Sequence, residues 1–166
     1  MIQILLIEEN TILKTGIKAL FTIHPDFHLL AEARSVKEAV TINPLGTINV
    51  IITDVSSSPQ QAAKDMDALH SSFPDAIILI FTWPSNKESA IASLEAGAAN
   101  YKFKDISGEE LLEALKSLVE GNHNSGVSTA PAGAKLTARP IPYMVSLGKA
   151  DNPDMHHAQQ QRVHLS

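Results

Sequence analysis

The first 120 residues alternate between short apolar segments and longer segments in which apolar residues recur at helical spacing. Short apolar runs predict β-strands, and repeats three and four residues apart predict amphipathic helices. The order of the two patterns is therefore βαβαβαβαβα. The predicted strands are Ile2–Ile7, Phe27–Glu32, Ile48–Thr53, Ala76–Phe81 and Asn100–Phe103.

Four serines lie where helices are expected to begin, and each is followed three residues later by Glu or Gln. In this capping box the serine hydroxyl accepts a backbone N–H, and the Glu or Gln reaches back to the serine amide. We also expect Asn10 to cap the first helix and Gly121 to end the last. The four serines are Ser35, Ser58, Ser85 and Ser107.

The third and fourth strands are apolar nearly throughout, which is typical of parallel strands covered on both faces. Right-handed crossovers between such strands give a doubly wound sheet. We therefore predict an α/β fold for residues 1–121. It consists of a five-stranded parallel sheet in the flavodoxin-like order 2-1-3-4-5, with helices on both faces.

The pattern changes after Gly121. Residues 122–134 are rich in Asn, Ser, Gly, Ala and Pro without periodicity, which indicates a linker. Residues 135–166 carry only weak apolar spacing broken by prolines, and predict a poorly structured tail.

Composition narrows the class of protein. No apolar run is long enough to cross a bilayer, and the first residues lack the features of a secretion signal. The absence of cysteine excludes disulfides and thiolate metal sites, and we expect a cytoplasmic protein without membrane contact. Residues 1–120 carry a net charge of −7 and residues 121–166 one of +2, so DNA binding by this chain is expected to be weak or absent.

Polar residues follow the predicted strands, at the edge where doubly wound sheets bind ligands. Glu8 and Glu9 follow the first strand, and Asp54 follows the third. Three converging carboxylates call for a cation, and oxygen ligands suit Mg²⁺ or Mn²⁺. Thr82 and Lys104 at the next strand ends add a hydroxyl and an ammonium group. Each residue alone is often an ordinary cap, turn or solvated side chain, but together they form a set that can accept a phosphoryl group.

Four segments of the chain resemble response-regulator receiver domains, especially those joined to LuxR-type DNA-binding domains. The matching segments are Ile4–Asn10, Val50–Asp54, Ile78–Thr82 and Leu94–Asp105. The resemblance implies a two-component phosphorelay protein acting in transcriptional regulation. It also implies that Asp54 accepts a phosphoryl group from a histidine kinase, a phosphotransfer protein or a small phosphodonor.

The same resemblance assigns roles to the neighbours of Asp54. Glu8, Glu9 and Asp54 would hold Mg²⁺ together with the backbone carbonyl of Ser56. Thr82 and Lys104 would contact the phosphoryl oxygens, and Tyr101 would change rotamer on phosphorylation. The implied output is a changed protein-interaction surface, so the domain is a signalling switch with at most self-catalysed phosphoryl acceptance and loss. The fold also allows a homodimer, in which a second copy of the chain binds through the fourth helix, fifth strand and fifth helix.

The chain departs from the family pattern at three places. Glu8-Glu9 replaces a pair that usually contains aspartate, the loop after Asp54 is serine-rich, and the bulky Trp83 follows Thr82. These departures favour an alternative, a phosphorylation-independent pseudo-receiver that acts as a protein-interaction module. A hydrolase with Asp54 as nucleophile is disfavoured, because Ser56 stands where a second general acid would be needed.

The tail carries a second, shorter resemblance. Residues Lys135–Arg139 are similar to the opening of a LuxR-type helix-turn-helix domain. Pro140 replaces the glutamate expected next, and about 30 residues are too few for a core of their own. The expectation is a truncated or degenerate helix-turn-helix remnant.

Overall fold

The computed structural model describes residues 1–55 and 58–124, with side chains up to Gly121. A 3₁₀ turn, Pro84–Asn86, precedes the fourth helix. The strands are β1 Ile2–Ile7, β2 Phe27–Ala33, β3 Val50–Thr53, β4 Ile77–Thr82 and β5 Asn100–Phe103. The helices are α1 Thr11–Thr22, α2 Val36–Ala39, α3 Pro59–Ser72, α4 Lys87–Glu95 and α5 Gly108–Asn124.

The five strands form one parallel sheet in the order β2-β1-β3-β4-β5. This confirms the predicted α/β class, the flavodoxin-like strand order and the alternation of strands and helices. Predicted and observed strand ends differ by at most two residues, with β3 beginning at Val50 rather than Ile48.

The sheet separates two hydrophobic cores, because successive residues of a strand point to opposite faces. One core packs the sheet against α2, α3 and α4 and includes Met66 and Leu69. The other packs it against α1 and α5 and includes Phe21 and Leu115. Helices therefore cover both faces, as the continuous apolar character of β3 and β4 predicts.

Three of the four predicted serine caps are confirmed. Ser35, Ser58 and Ser107 each accept the backbone N–H three residues later. Ser85 is not a cap, because Pro84 opens the 3₁₀ turn that contains Ser85 and α4 begins at Lys87. Asn10 caps α1 as expected.

The predicted helix end at Gly121 is wrong, since α5 continues to Asn124. A glycine lowers helix stability without preventing the helix from continuing. The predicted linker thus begins within α5. The remainder of the linker after Asn124, and the tail of residues 135–166 with its helix-turn-helix resemblance, lie outside the described residues.

The loop between α2 and β3 lies at the edge where the strands begin, opposite their carboxyl ends. Leu45 in this loop is fully exposed. The loop and the α3–β4 connection line a shallow pocket of about 260 Å³ that includes Ile42, Phe73 and Asp75. No helix in the described part of the chain is long and apolar enough to span a membrane.

Candidate functional site

The carboxyl ends of the strands bring the predicted polar residues to one edge of the sheet. Glu8 follows β1, Asp54 follows β3, Thr82 is the last residue of β4 and Lys104 follows β5. Backbone hydrogen bonds hold these ends in register, from Asp54 N to the Ile7 carbonyl and from Lys104 N to the Thr82 carbonyl.

Lys104 joins two carboxylates at the centre of this edge. Its Nζ donates to Glu8 Oε2 at 2.7 Å and to Asp54 Oδ2 at 2.5 Å. The Lys104 and Glu8 side chains are 1% and 4% exposed, whereas that of Asp54 is 31% exposed. The group has a formal charge of −1 with both acids ionised, and Asp54 is the member open to solvent.

Backbone amides take the second oxygen of each carboxylate. Asn10 N donates to Glu8 Oε1 at 2.8 Å, and Val55 N donates to Asp54 Oδ1 at 2.7 Å. Hydrogen bonds of this kind are short and orient the carboxylate that accepts them. Both carboxylates are therefore held at two points by groups of the chain itself.

Thr82 and Tyr101 occupy the positions predicted for a phosphate contact and a switch residue. The Thr82 side chain is buried, and its Oγ1 accepts a hydrogen bond of 3.4 Å from Asn86 Nδ2. Tyr101 is half-buried against the core on the α2–α4 side of the sheet, with its ring edge-on to Phe103. The Asn86 contact was not predicted, and the only sequence indication for it is the short turn after Thr82.

Glu9 does not join the other two carboxylates. It is exposed and makes no ion pair within the described residues, whereas Glu8 points inward. Among residues 1–55 and 58–121, no three acidic or histidine side chains are grouped to hold a metal ion. Glu8 and Asp54 converge on the Lys104 ammonium, and the role of the three carboxylates as metal ligands stays a prediction. Ser56, whose carbonyl was the fourth expected ligand, lies outside the described residues.

The donor set still has the right chemistry for a hard cation. Glu8 and Asp54 present only oxygen, each oxygen retains a lone pair, and Glu9 directly follows Glu8 in the chain. Such oxygen-only sets suit Mg²⁺. The cation that both carboxylates bind in the structure is the Lys104 ammonium.

Trp83 makes a contact in the site that the sequence did not predict. Lys104 Nζ lies 5.8 Å from the centre of the indole ring, within the range of a cation–π contact. Trp83 remains 48% exposed at the rim of the site. Its bulk was recognised from sequence as a departure, but not its contact with Lys104.

The chain belongs to the response regulator receiver domain family, whose sequence model matches residues 4–116. Its similarity is to regulators of the NarL and LuxR type. The nitrate/nitrite response regulator NarL of Escherichia coli K12 is 27% identical over 118 residues, which are 71% of this chain and 55% of that protein. The transcriptional activator DevR/DosR of Mycobacterium tuberculosis is 30% identical over 121 residues, 73% of this chain and 56% of that protein.

Solved structures show the same architecture. A CheY-like receiver domain protein from Methanospirillum hungatei has a TM-score of 0.64 at 19% identity, covering 76% of this chain and 99% of that one. The response regulator ChrA of a heme-sensing two-component system has a TM-score of 0.58 at 27% identity. The match covers 72% of this chain and 57% of that one. The family and fold inferred from the sequence are thus confirmed. The chain spans little more than half the length of the curated relatives described above.

Proposed function

We propose that this chain is the phospho-accepting module of a two-component response regulator, with Asp54 as the acceptor. One observation carries the proposal. The Asp54 carboxylate is the solvent-accessible member of a buried charge cluster, and it lies 2.5 Å from the Lys104 ammonium. A nucleophile needs this access, and a transferring phosphoryl group needs a cation beside it.

The proposed transfer forms one bond and breaks one. An Asp54 carboxylate oxygen attacks the phosphorus of the donor, and the donor's P–O or P–N bond breaks with its electron pair. Acetate leaves from acetyl phosphate, whereas a phosphohistidine that is protonated at its other ring nitrogen leaves as neutral histidine. Lys104 then exchanges the Asp54 oxygen for a phosphoryl oxygen.

Mg²⁺ would supply further positive charge for the transferring oxygens, with Glu8, Glu9, Asp54 and the Ser56 carbonyl as its proposed ligands. The Thr82 hydroxyl is proposed to donate to a phosphoryl oxygen. It can do so while Asn86 donates to the same hydroxyl, because a hydroxyl is both donor and acceptor.

The proposed output is a change in the face formed by α4, β5 and α5. Tyr101 lies on β5, three residues before Lys104, so a shift of Lys104 can reach it along one short strand. We propose a histidine kinase or phosphotransfer protein as donor and a transcriptional role in the cytoplasm. A homodimer through this face, and weak or absent DNA binding, remain predictions.

Incubation with acetyl phosphate and Mg²⁺ tests the proposal. Intact-mass measurement is expected to show one added phosphoryl group, lost in Asp54→Ala and retained in Asp105→Ala, the exposed aspartate just after Lys104. Chelation of Mg²⁺ is expected to abolish the addition. An unmodified wild-type protein at millimolar Mg²⁺, or equal modification of Asp54→Ala, would refute the proposal.

The second candidate is the pseudo-receiver, and the half-exposed Trp83 at the rim of the site favours it. Its bulky indole lies beside the Lys104 ammonium, which is also bound to Asp54. This candidate predicts an unchanged amide NMR spectrum on addition of beryllofluoride and Mg²⁺. Chemical shift changes at Thr82 and Tyr101 that are absent in Asp54→Ala would exclude it.

A further inference from the structure

Trp83 occupies the rim of the Asp54 site in a fixed backbone conformation. It has φ −81° and ψ 151°, an extended geometry, and Pro84 follows it. A residue before proline is restricted to this region, because the proline ring clashes with the helical alternative. The buried Thr82 fixes the other side of Trp83 at the end of β4. The backbone of Trp83 is therefore restricted on both sides, and its indole contacts Lys104 Nζ.

The indole and two carboxylates surround the same ammonium. Glu8 and Asp54 accept from Lys104 Nζ, and the ring centre of Trp83 is 5.8 Å from that atom. Cation–π attraction favours the position in which Lys104 bridges the two acids. The ring and Asp54 are also the two partly exposed members of this group, so both face the approach from solvent.

We propose that Trp83 gates the site against small phosphodonors. The inference rests on the proposed phosphoryl transfer to Asp54. The donor must approach the exposed side of Asp54, beside the indole, and Lys104 must move from a carboxylate oxygen to a phosphoryl oxygen. Trp83 opposes both events, one by its bulk and the other by its attraction for the ammonium. It is a positioning residue rather than a nucleophile or acid.

Intrinsic fluorescence tests the contact without any phosphorylation, because Trp83 is the only tryptophan of the chain. Lys104→Met is expected to change the emission intensity or maximum, because it removes the charge over the ring. Lys116→Met is the matched control, since Lys116 lies over Phe27 and pairs with Asp26 elsewhere. Emission that is the same in wild type and Lys104→Met would overturn the proposal.

Rates of labelling by acetyl phosphate test the gate. Trp83→Ala is expected to raise the rate of phosphoryl addition to Asp54 by roughly tenfold, the size of a single contact of this class. Trp83→Phe, which keeps a smaller ring, is expected to fall between Trp83→Ala and wild type. Leu45→Ala, an exposed apolar residue at the opposite edge of the sheet, is expected to leave the rate unchanged. Circular dichroism verifies that each variant is folded.

The outcomes separate the gate from the proposed function. Labelling of wild type and Trp83→Ala at equal rates overturns the gate and leaves the acceptor role of Asp54 intact. Labelling of Trp83→Ala but not wild type supports the gate in its strongest form. Absence of label from every folded variant refutes both the acceptor role and the gate. In that case removal of the indole does not allow acetyl phosphate to modify Asp54.

Discussion

Lys104 binds two carboxylates whose surroundings differ. Glu8 is almost completely buried, whereas about a third of the Asp54 side chain is in contact with solvent. A buried charge that loses its partner is strongly destabilising, while a partly exposed one regains water. Lys104 therefore stabilises the fold mainly through its ion pair with Glu8. Its ion pair with Asp54 can break at a lower cost in free energy.

Replacement of Lys104 by Met is expected to lower the free energy of unfolding by about 3 kcal/mol, because it leaves the Glu8 carboxylate buried and unpaired. Urea denaturation followed by circular dichroism measures the loss. Lys64→Met on the exposed side of α3 is the control and is expected to cost little. Adding Glu8→Gln to Lys104→Met should restore part of the stability, and equal losses in the single and double variants would contradict this account.

The sequence identified which residues reach the site, but not that Glu8 shares the Lys104 ammonium with Asp54. Glu8, Asp54, Thr82 and Lys104 were predictable because parallel strands end at one edge. The outward position of Glu9 follows from a simpler rule, since successive side chains of an extended segment point to opposite sides. The choice of Lys104 as the shared cation depends on distances across the sheet that no spacing along the chain encodes.

At the scale of single elements, α5 begins with a complete capping box. Glu110 N donates to Ser107 Oγ at 3.2 Å, and Ser107 N donates to Glu110 Oε2 at 2.8 Å. The hydrogen bond from the Ser107 amide to the carboxylate, with a smaller contribution from the Ser107 side chain, holds the pKa of Glu110 below its usual value of 4.5. The ionised carboxylate thus stabilises the helix start.

The lowered pKa of Glu110 predicts the sign of a pH effect. Its contribution to stability is fully present above pH 4.5, the usual value, and is lost as the pH falls through the lower pKa of the folded state. Glu110→Gln should therefore be less stable than wild type at pH 7, and the difference should shrink toward pH 3. Urea midpoints at both pH values measure this. Glu109→Gln, the preceding first-turn glutamate, should show a smaller change, and a difference between wild type and Glu110→Gln that grows in acid would refute the argument.

The comparison of caps shows where a local pattern fails. Ser85 and Ser107 both precede a glutamate by three residues, yet only Ser107 caps a helix. Pro84 starts a 3₁₀ turn one residue before Ser85, so the helix begins after the predicted cap. Pro84, which directly precedes Ser85, is the local reason that the capping pattern fails there.

At the scale of the whole molecule, the sheet divides the stabilising contacts into two cores that share no helix. Ile78 lies in the core on the α2–α4 side, and Ile4 in the core on the α1–α5 side. The two residues are also separated by β3. Substitutions at sites without shared partners usually have additive effects.

Ile4→Val and Ile78→Val are expected to cost about 1 kcal/mol each and to add in the double variant. Ile51 and Ile78 are register partners in the same core, so Ile51→Val with Ile78→Val is expected to depart from additivity. Chemical denaturation of the single and double variants measures both cycles. Strong coupling between Ile4 and Ile78 would show that the two cores are not independent.

The global fold was more predictable than the local geometry. Strand order follows from alternating patterns and the handedness of crossovers, which involve many residues at once. The end of an individual helix depends on small differences in free energy, and a single glycine does not decide them. The helix α5, for example, continues past Gly121.

The exposed loop between α2 and β3 offers a means of orienting the molecule. Since the chain has no native cysteine, Leu45→Cys would introduce a single thiol at a fully exposed position. Maleimide coupling there would attach the protein to a sensor surface by the end of the sheet opposite Asp54. Every immobilised molecule would then present its strand-end crevice to the solution, a uniform geometry that random coupling through lysines cannot provide and that would leave Lys104 unmodified.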